Sequence, residues 1–182
     1  MLNKAQIIDR ITSRVETLDP QKVTKSIVLY RLVRHLFDQN PNVEENIEFR
    51  WAYAAFYGLN HYKRSDLPTY FQVLHRHYLL KDSSMDINEI VKELKTKKHH
   101  YVFASKLMNF VDDSRYPIID RHISKVFSFS TLDTYSDRYD CVKEVYVELS
   151  TREDIKQVIS QYDFGEIGMM KVLDIIVWNI NL

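Results

Sequence analysis

YVFASKLMNFVDDSRYPIIDRHISKVF, residues 101–127, holds an apolar helical pattern, an acidic turn, the Tyr116-Pro117 pair, a short apolar run and then Asp120. Asp120 is followed by Arg121, His122 and a second helical pattern through Ile123, Val126 and Phe127. A carboxylate at the start of a helix has two readings. As an N-cap, Asp is worth roughly 1 kcal/mol over Ala. As a catalyst, it is a rigid negative charge that stabilises a cationic transition state and orients water. A Pro-fixed approach to a cleft suits the second role. Burial, which decides between them, is not written in the local pattern.

Helical spacing extends outward from this stretch in both directions. Upstream, Ile7, Ile8, Ile11 and Val15 share one helix face. Asp19-Pro20 stops that helix and opens the next, with proline in the first turn. Val23, Ile27, Tyr30, Leu32, Val33, Leu36 and Phe37 form its wide apolar face, and Asn40-Pro41 ends it. A third helix over about 46–62 is apolar nearly all round and reads as central. A fourth over about 67–80 follows Asp66-Leu67-Pro68, and a fifth over about 87–97 precedes a sixth over about 100–111. Downstream, Ser128–Ser136 reads as a connector and about 139–149 as an eighth helix. Thr151 with Asp154 reads as a capping pattern for a ninth over about 152–162, and the tenth covers about 166–180. Tyr116–Ile119 is the one stretch with strand character, too short to found a sheet. The expectation is an all-α, multi-helix single domain over 1–182. It allows two lobes with a cleft between them, 64–130 in the middle and 1–63 plus 131–182 at the ends.

Composition narrows the function classes. The chain has 182 residues, 45% of them hydrophobic, enough for a substantial core. One cysteine, Cys141, excludes an internal disulfide framework and a four-cysteine metal site, and reads as a small buried apolar residue. No apolar run reaches the roughly 18–20 residues of a membrane span. The N-terminus reads as amphipathic rather than as a signal peptide, so the expectation is a soluble cytoplasmic protein, nucleoid-associated in a bacterium. Net charge is zero, but residues 61–126 carry 12 basic and 8 acidic groups, and residues 127–182 carry 5 and 10. The densest basic patch is Lys92, Lys95, Lys97, Lys98 and Lys106 with His99 and His100, which suits a polyanion or a solvated helix end. His75-x-His77 lies on different sides of a helix, and His99-His100 has no partner at metal-ligand spacing, so no metal site is expected.

The segment ASKLMNFVDDSRYPIIDRHISKVF resembles the part of helix-hairpin-helix DNA glycosylases that leads to the active-site Asp. It looks most like the 8-oxoguanine glycosylase branch. The likeness covers about 25 of 182 residues. It implies that Asp120 stands in the place of the catalytic Asp, with Ala104-Ser105 on the preceding helix. Two features depart from that family. The hairpin turn that usually carries Gly-x-Gly reads Lys97-Lys98-His99-His100, with no glycine between Gly58 and Gly165. The position of the nucleophilic Lys of bifunctional members aligns with Val102, and Lys106 lies one helical turn away. The implied activity is hydrolysis of the N-glycosidic bond of a flipped, damaged or modified base, in monofunctional form. Asp120 would be catalytic, and Lys106 catalytic if the register shifts; its plain alternative is an exposed helix lysine. Lys97, Lys98, His99, His100, Ser105, Arg121 and His122 would touch DNA. Trp51, Tyr53 or Tyr57 would stack on the base, although an aromatic helix of this kind also reads as core. The implied partner is double-stranded DNA, with no cofactor, and the protein acting as a monomer. The competing expectation is a non-enzymatic helical module that binds DNA or protein, with Asp120 only a helix cap.

Overall fold

A computed structural model describes residues 2–59, 67–80, 84–94, 100–129 and 134–180, with the side chain of His100 also outside the description. Among the described residues there are ten α-helices and no strand, so the fold is all-α. They are α1 Lys4–Thr12, α2 Pro20–Gln39, α3 Ile47–Phe56, α4 Leu67–Leu80 and α5 Ile87–Glu93. Then follow α6 His100–Val111, α7 Arg121–Val126, α8 Tyr135–Thr151, α9 Glu153–Ile159 and α10 Met169–Trp178. No helix among the described residues is long and apolar enough to cross a membrane.

Caps set most boundaries. Asn3 and Gln6 form a reciprocal capping box on α1. Asp19 caps α2 with Pro20 in its first turn, Asn46 caps α3, and Asp86 caps α5. Several boundaries differ from the sequence reading: α3 ends at Phe56, α9 ends at Ile159 and α10 starts at Met169, each short of the expected range. α8 starts at Tyr135, because Thr134 accepts from the Asp137 amide and caps the helix inside the expected connector. The expected Thr151–Asp154 cap does not form. Thr151 stays in α8 with its hydroxyl donating to the Glu148 carbonyl, and Asp154 binds Arg152 instead.

The buried side chains gather in two clusters. One joins the C-terminal half of α2 with α3 to α6 and the Tyr116–Ile119 segment, around Phe37, Phe49, Tyr53 and Phe110. The other joins α1, the start of α2 and α7 to α10, around Ile11, Tyr146, Leu173 and Ile176. Residues 2–59 therefore contribute to both clusters. Helix α2 runs through the pair of them, with Ile27 in one and Tyr30 in the other.

Tyr116–Ile119 forms no strand among the described residues. Side chains satisfy its backbone instead. The Asn109 amide donates to the Tyr116 carbonyl at 2.7 Å, Pro117 has no N–H to satisfy, and the Ile118 N–H donates to Asp174 at 3.1 Å. The Ile119 N–H donates to Ser105 Oγ at 3.1 Å. Three polar groups from α6 and α10 thus hold this segment and deliver Asp120 to the head of α7.

The turn at 113–114 and the start of α10 approach closely at Gly168. Tyr30 donates to Asp113 at 2.7 Å, and the Lys171 N–H donates to the Asp113 carbonyl at 3.1 Å. A Cβ on Gly168 would land on the Asp113 carbonyl carbon and the Ser114 amide nitrogen, both backbone. Gly168→Ala is expected to cost about 1–3 kcal/mol, as other forced over-packings do. Urea unfolding checks it, and an unchanged midpoint would contradict the close approach.

Candidate functional site

A cleft of about 550 Å³ opens where α2, α3, α6, α7 and α10 meet. Its charged lining comes from Lys22 and Lys25 on α2, Lys106 on α6, Asp120 at the head of α7, and Lys171 and Asp174 on α10. Phe56, Tyr57 and Trp178 supply its aromatic walls. Six charged groups on three helices and one cap therefore face one space.

Asp120 is half-buried and caps α7. Its Oδ1 accepts the His122 amide at 2.8 Å and the Ile123 amide at 2.9 Å. Its Oδ2 accepts the indole N–H of Trp178 at 3.1 Å. The cap reading is therefore correct as geometry. It leaves the carboxylate rigid, at a helix N-terminus and on the wall of a cleft.

Lys106 is not the exposed lysine of the plain sequence alternative. It is half-buried and lines the same cleft. Gly58, with φ +66°, follows the end of α3 and leaves the Tyr57 carbonyl without a helical partner. The Lys106 amine donates to that carbonyl at 2.5 Å. Burial pushes the amine below the ordinary lysine pKa, and the negative charge of Asp120 acts against that shift. A lysine in this state holds a larger neutral fraction at neutral pH than a solvated one does.

Behind these two groups lies a buried pair on α10. Lys171 is 4% exposed, and its ammonium sits about 5 Å from the ring centres of Tyr30, Phe56 and Tyr57. Burial pushes it down to about 8, with Asp174 opposing. Asp174 is equally buried, and burial pushes its carboxyl up to about 8, against Lys171 and the Ile118 N–H. The unfolded chain loses the Asp174 proton near 3.8, while the folded chain keeps it to about 8. Between those values the folded state holds this proton more tightly, so the Asp174 contribution to stability falls as pH rises from about 4 to 8. Asp174→Asn cannot titrate. The wild-type urea midpoint is expected to fall relative to that of Asp174→Asn between about pH 5 and about pH 8. Parallel midpoints across that range would show that the carboxyl is not held neutral by the fold.

The structure brings together only part of the residue set taken from the sequence. Asp120, Lys106 and Tyr57 share the cleft. Ser105, expected at DNA, is buried, and its hydroxyl clamps Ile119 to α6. Tyr53, expected to stack on a base, is core. Its hydroxyl pairs with that of Tyr70 at 2.8 Å, and its ring packs on Phe49, Phe71 and Phe110. Trp51 is 77% exposed and does not line the cleft. Arg121 is exposed, and the His122 ring lies 5.4 Å from that of Trp178. Lys97, Lys98 and His99 fall outside the described residues, as does the side chain of His100. His77 pairs with Glu93 at 2.8 Å, and no group of three metal-binding side chains exists among the described residues. Cys141 is half-buried rather than buried.

Sequence reasoning missed Lys22, Lys25, Lys171, Asp174 and Trp178. The α10 group carried one signal: a Lys and an Asp three residues apart inside MMKVLDIIVW, an otherwise apolar helix. Trp178 is 53% exposed although it ends the most apolar stretch of the chain. Comparison of the chain with family models, with curated proteins and with solved structures finds no match.

Proposed function

We propose that the cleft is the active site of a DNA N-glycosylase-like enzyme that hydrolyses the glycosidic bond of a flipped, damaged or modified base. The observation that carries this reading is the convergence of Asp120 and the half-buried Lys106 on one cleft, from helices that the Tyr116–Ile119 segment links. A carboxylate fixed by two backbone amides and an indole N–H need not reorganise as positive charge grows on a sugar, which is the condition for electrostatic stabilisation. Lys22 and Lys25 border the cleft and would take phosphates, in the part that the sequence reading gave to Lys97 and Lys98. Trp178 and Phe56 present flat apolar faces for an extruded base.

In this mechanism Asp120 stabilises the oxocarbenium-like sugar and orients the water that adds to C1′. Lys106 is the group that would add in place of water, since only a neutral amine is a nucleophile. The test is excision from duplexes carrying damaged, mismatched or hypermodified bases, with alkali to reveal abasic sites. Alkali-dependent cleavage by the wild type is expected. Cleavage without alkali, with borohydride trapping lost in Lys106→Met, would assign the lyase step to Lys106. Intact duplexes throughout would overturn the reading.

A second reading rests on the completeness of the cap. Both helix amides that Asp120 can satisfy are satisfied, so the residue has a full structural role without chemistry. In that case the protein is a helical module that binds DNA or a protein, and Asp120→Asn leaves its binding unchanged.

A further inference from the structure

Lys171 has a role still to be filled. Its side chain is 96% shielded by the fold, being 4% exposed, and it lines the cleft. Among the described residues no acceptor lies within hydrogen-bonding reach of its amine, and no carboxylate lies within ion-pair distance. Asp174, one turn further along α10, is spent on the Ile118 N–H and the Asn109 amide. The three aromatic faces around the Lys171 amine attract a cation but cannot accept a full N–H hydrogen bond. A buried donor normally has a partner, because an unmade hydrogen bond in a protein interior is costly. The Lys171 amine is not sealed from solvent: it opens into the cleft, where its acceptor is water or a ligand.

We propose that Lys171 donates a hydrogen bond, and then its proton, to an acceptor atom of the base that leaves the sugar. The proposal rests on the glycosylase reading of the cleft and deepens it. As the C1′–N bond breaks, its electron pair passes to the base. The proton passes from the Lys171 ammonium to a ring nitrogen or carbonyl oxygen conjugated with that nitrogen. The base departs neutral and Lys171 is left as a neutral amine. Water adds to C1′ and gives up its proton to Asp120 and then to solvent, and Lys171 is reprotonated from solvent through the cleft. The substrate class that fits is a base whose leaving form is a strong proton acceptor, with that acceptor at its deep edge.

The groups that set the protonation of Lys171 surround it on every side. They are Asp174 on its own helix, Tyr30 on α2, Tyr57 at the end of α3, Lys106 on α6, Asp113 in the following turn, and Asp120 at the head of α7. Burial and Lys106 lower the amine toward neutrality, and the three carboxylates oppose them. An acid that titrates near the working pH is the efficient kind for general catalysis.

Two variants test the donor. Lys171→Met keeps the length and removes the charge, and Lys171→Arg keeps the charge but transfers no proton. Single-turnover excision by both is expected to fall by about 10²–10⁴-fold, the usual contribution of a general acid. The alkaline limb of the wild-type pH profile, which falls as Lys171 loses its proton, disappears with them. Equal rates in wild type and Lys171→Met, or full rescue by Lys171→Arg, overturn the proton donor and leave the glycosylase reading standing. A second measurement needs no turnover. Free nucleobases are titrated into protein carrying ¹⁵N-lysine, and the Lys171 amine signal is followed. It is expected to shift, with affinity about tenfold lower in Lys171→Met. Base binding that leaves this signal still, or that survives Lys171→Met intact, overturns the donor. A shift in a protein that excises nothing keeps the donor contact and overturns the enzyme. Neither binding nor excision by the wild type overturns both.

Discussion

Asp120→Asn is expected to lower single-turnover base excision by at least about 10²-fold while leaving the fold in place. The two effects separate because the carboxylate does two jobs with two oxygens. Oδ1 caps α7 by accepting the His122 and Ile123 amides, and an Asn side-chain oxygen does this as well as Asp. Oδ2 accepts from Trp178, and the Asn amide nitrogen that replaces it cannot. The loss is one partly exposed hydrogen bond, about 1 kcal/mol of stability. What vanishes completely is the negative charge. A cap tolerates that, and a group that stabilises a sugar cation does not. Urea midpoints and single-turnover rates, taken on the same preparation, separate the roles. Full activity in Asp120→Asn would reduce the residue to a helix cap.

Phe110→Ala is expected to have the largest effect on stability, about 3–5 kcal/mol. Phe110 is fully buried on α6 and joins three helices at once. Its ring centre lies 5.3 Å from Phe37 on α2, and 5.5 Å and 5.2 Å from Phe49 and Tyr53 on α3. The Arg34 guanidinium lies 4.7 Å from the same ring and donates to the Phe110 carbonyl at 2.6 Å. Truncation leaves a cavity that four rigid neighbours cannot collapse into. The same packing fixes the rotation of α6, which turns Lys106 toward the cleft and Ser105 toward Ile119. Phe110→Leu keeps most of the volume and is expected to cost far less than Phe110→Ala. Thermal and urea unfolding of the two variants check this, and equal small losses would show that α6 is held from elsewhere.

These residues also show where the sequence was readable. Helix starts marked by a capping side chain were legible, as at Asp19-Pro20 and Asp120, because a cap is a local interaction. Thr151 with Asp154 shows the limit of the same logic: Arg152 competed for Asp154 and won it with two hydrogen bonds, at 3.1 Å and 2.8 Å. The Tyr116–Ile119 segment read as strand-like, and its part as a tether was not legible. Its partners Ser105, Asn109 and Asp174 come from two other helices. Asp120 could be singled out because the two amides it caps, those of His122 and Ile123, are its neighbours in sequence. Lys171 and Asp174 could not, since within an apolar helix only tertiary packing tells a cleft-facing charge from a misplaced one. The same holds for Trp51 and Tyr53. Helical periodicity in a segment apolar nearly all round does not say which face meets the core, and the structure turns Tyr53 inward and Trp51 outward.

The most direct test of the central claim needs no knowledge of the base. Two duplexes are compared, one with a neutral tetrahydrofuran abasic site and one with a pyrrolidine whose ring nitrogen carries positive charge in place of the sugar cation. Transition-state mimics of this kind bind a catalytic site 10²-fold or more tighter than ground-state ligands. If Asp120 stabilises a cationic sugar, the wild type is expected to prefer the pyrrolidine duplex by about 10²-fold, and Asp120→Asn to lose that preference. Equal affinity of the wild type for the two duplexes would contradict the claim and leave Asp120 as the cap of α7.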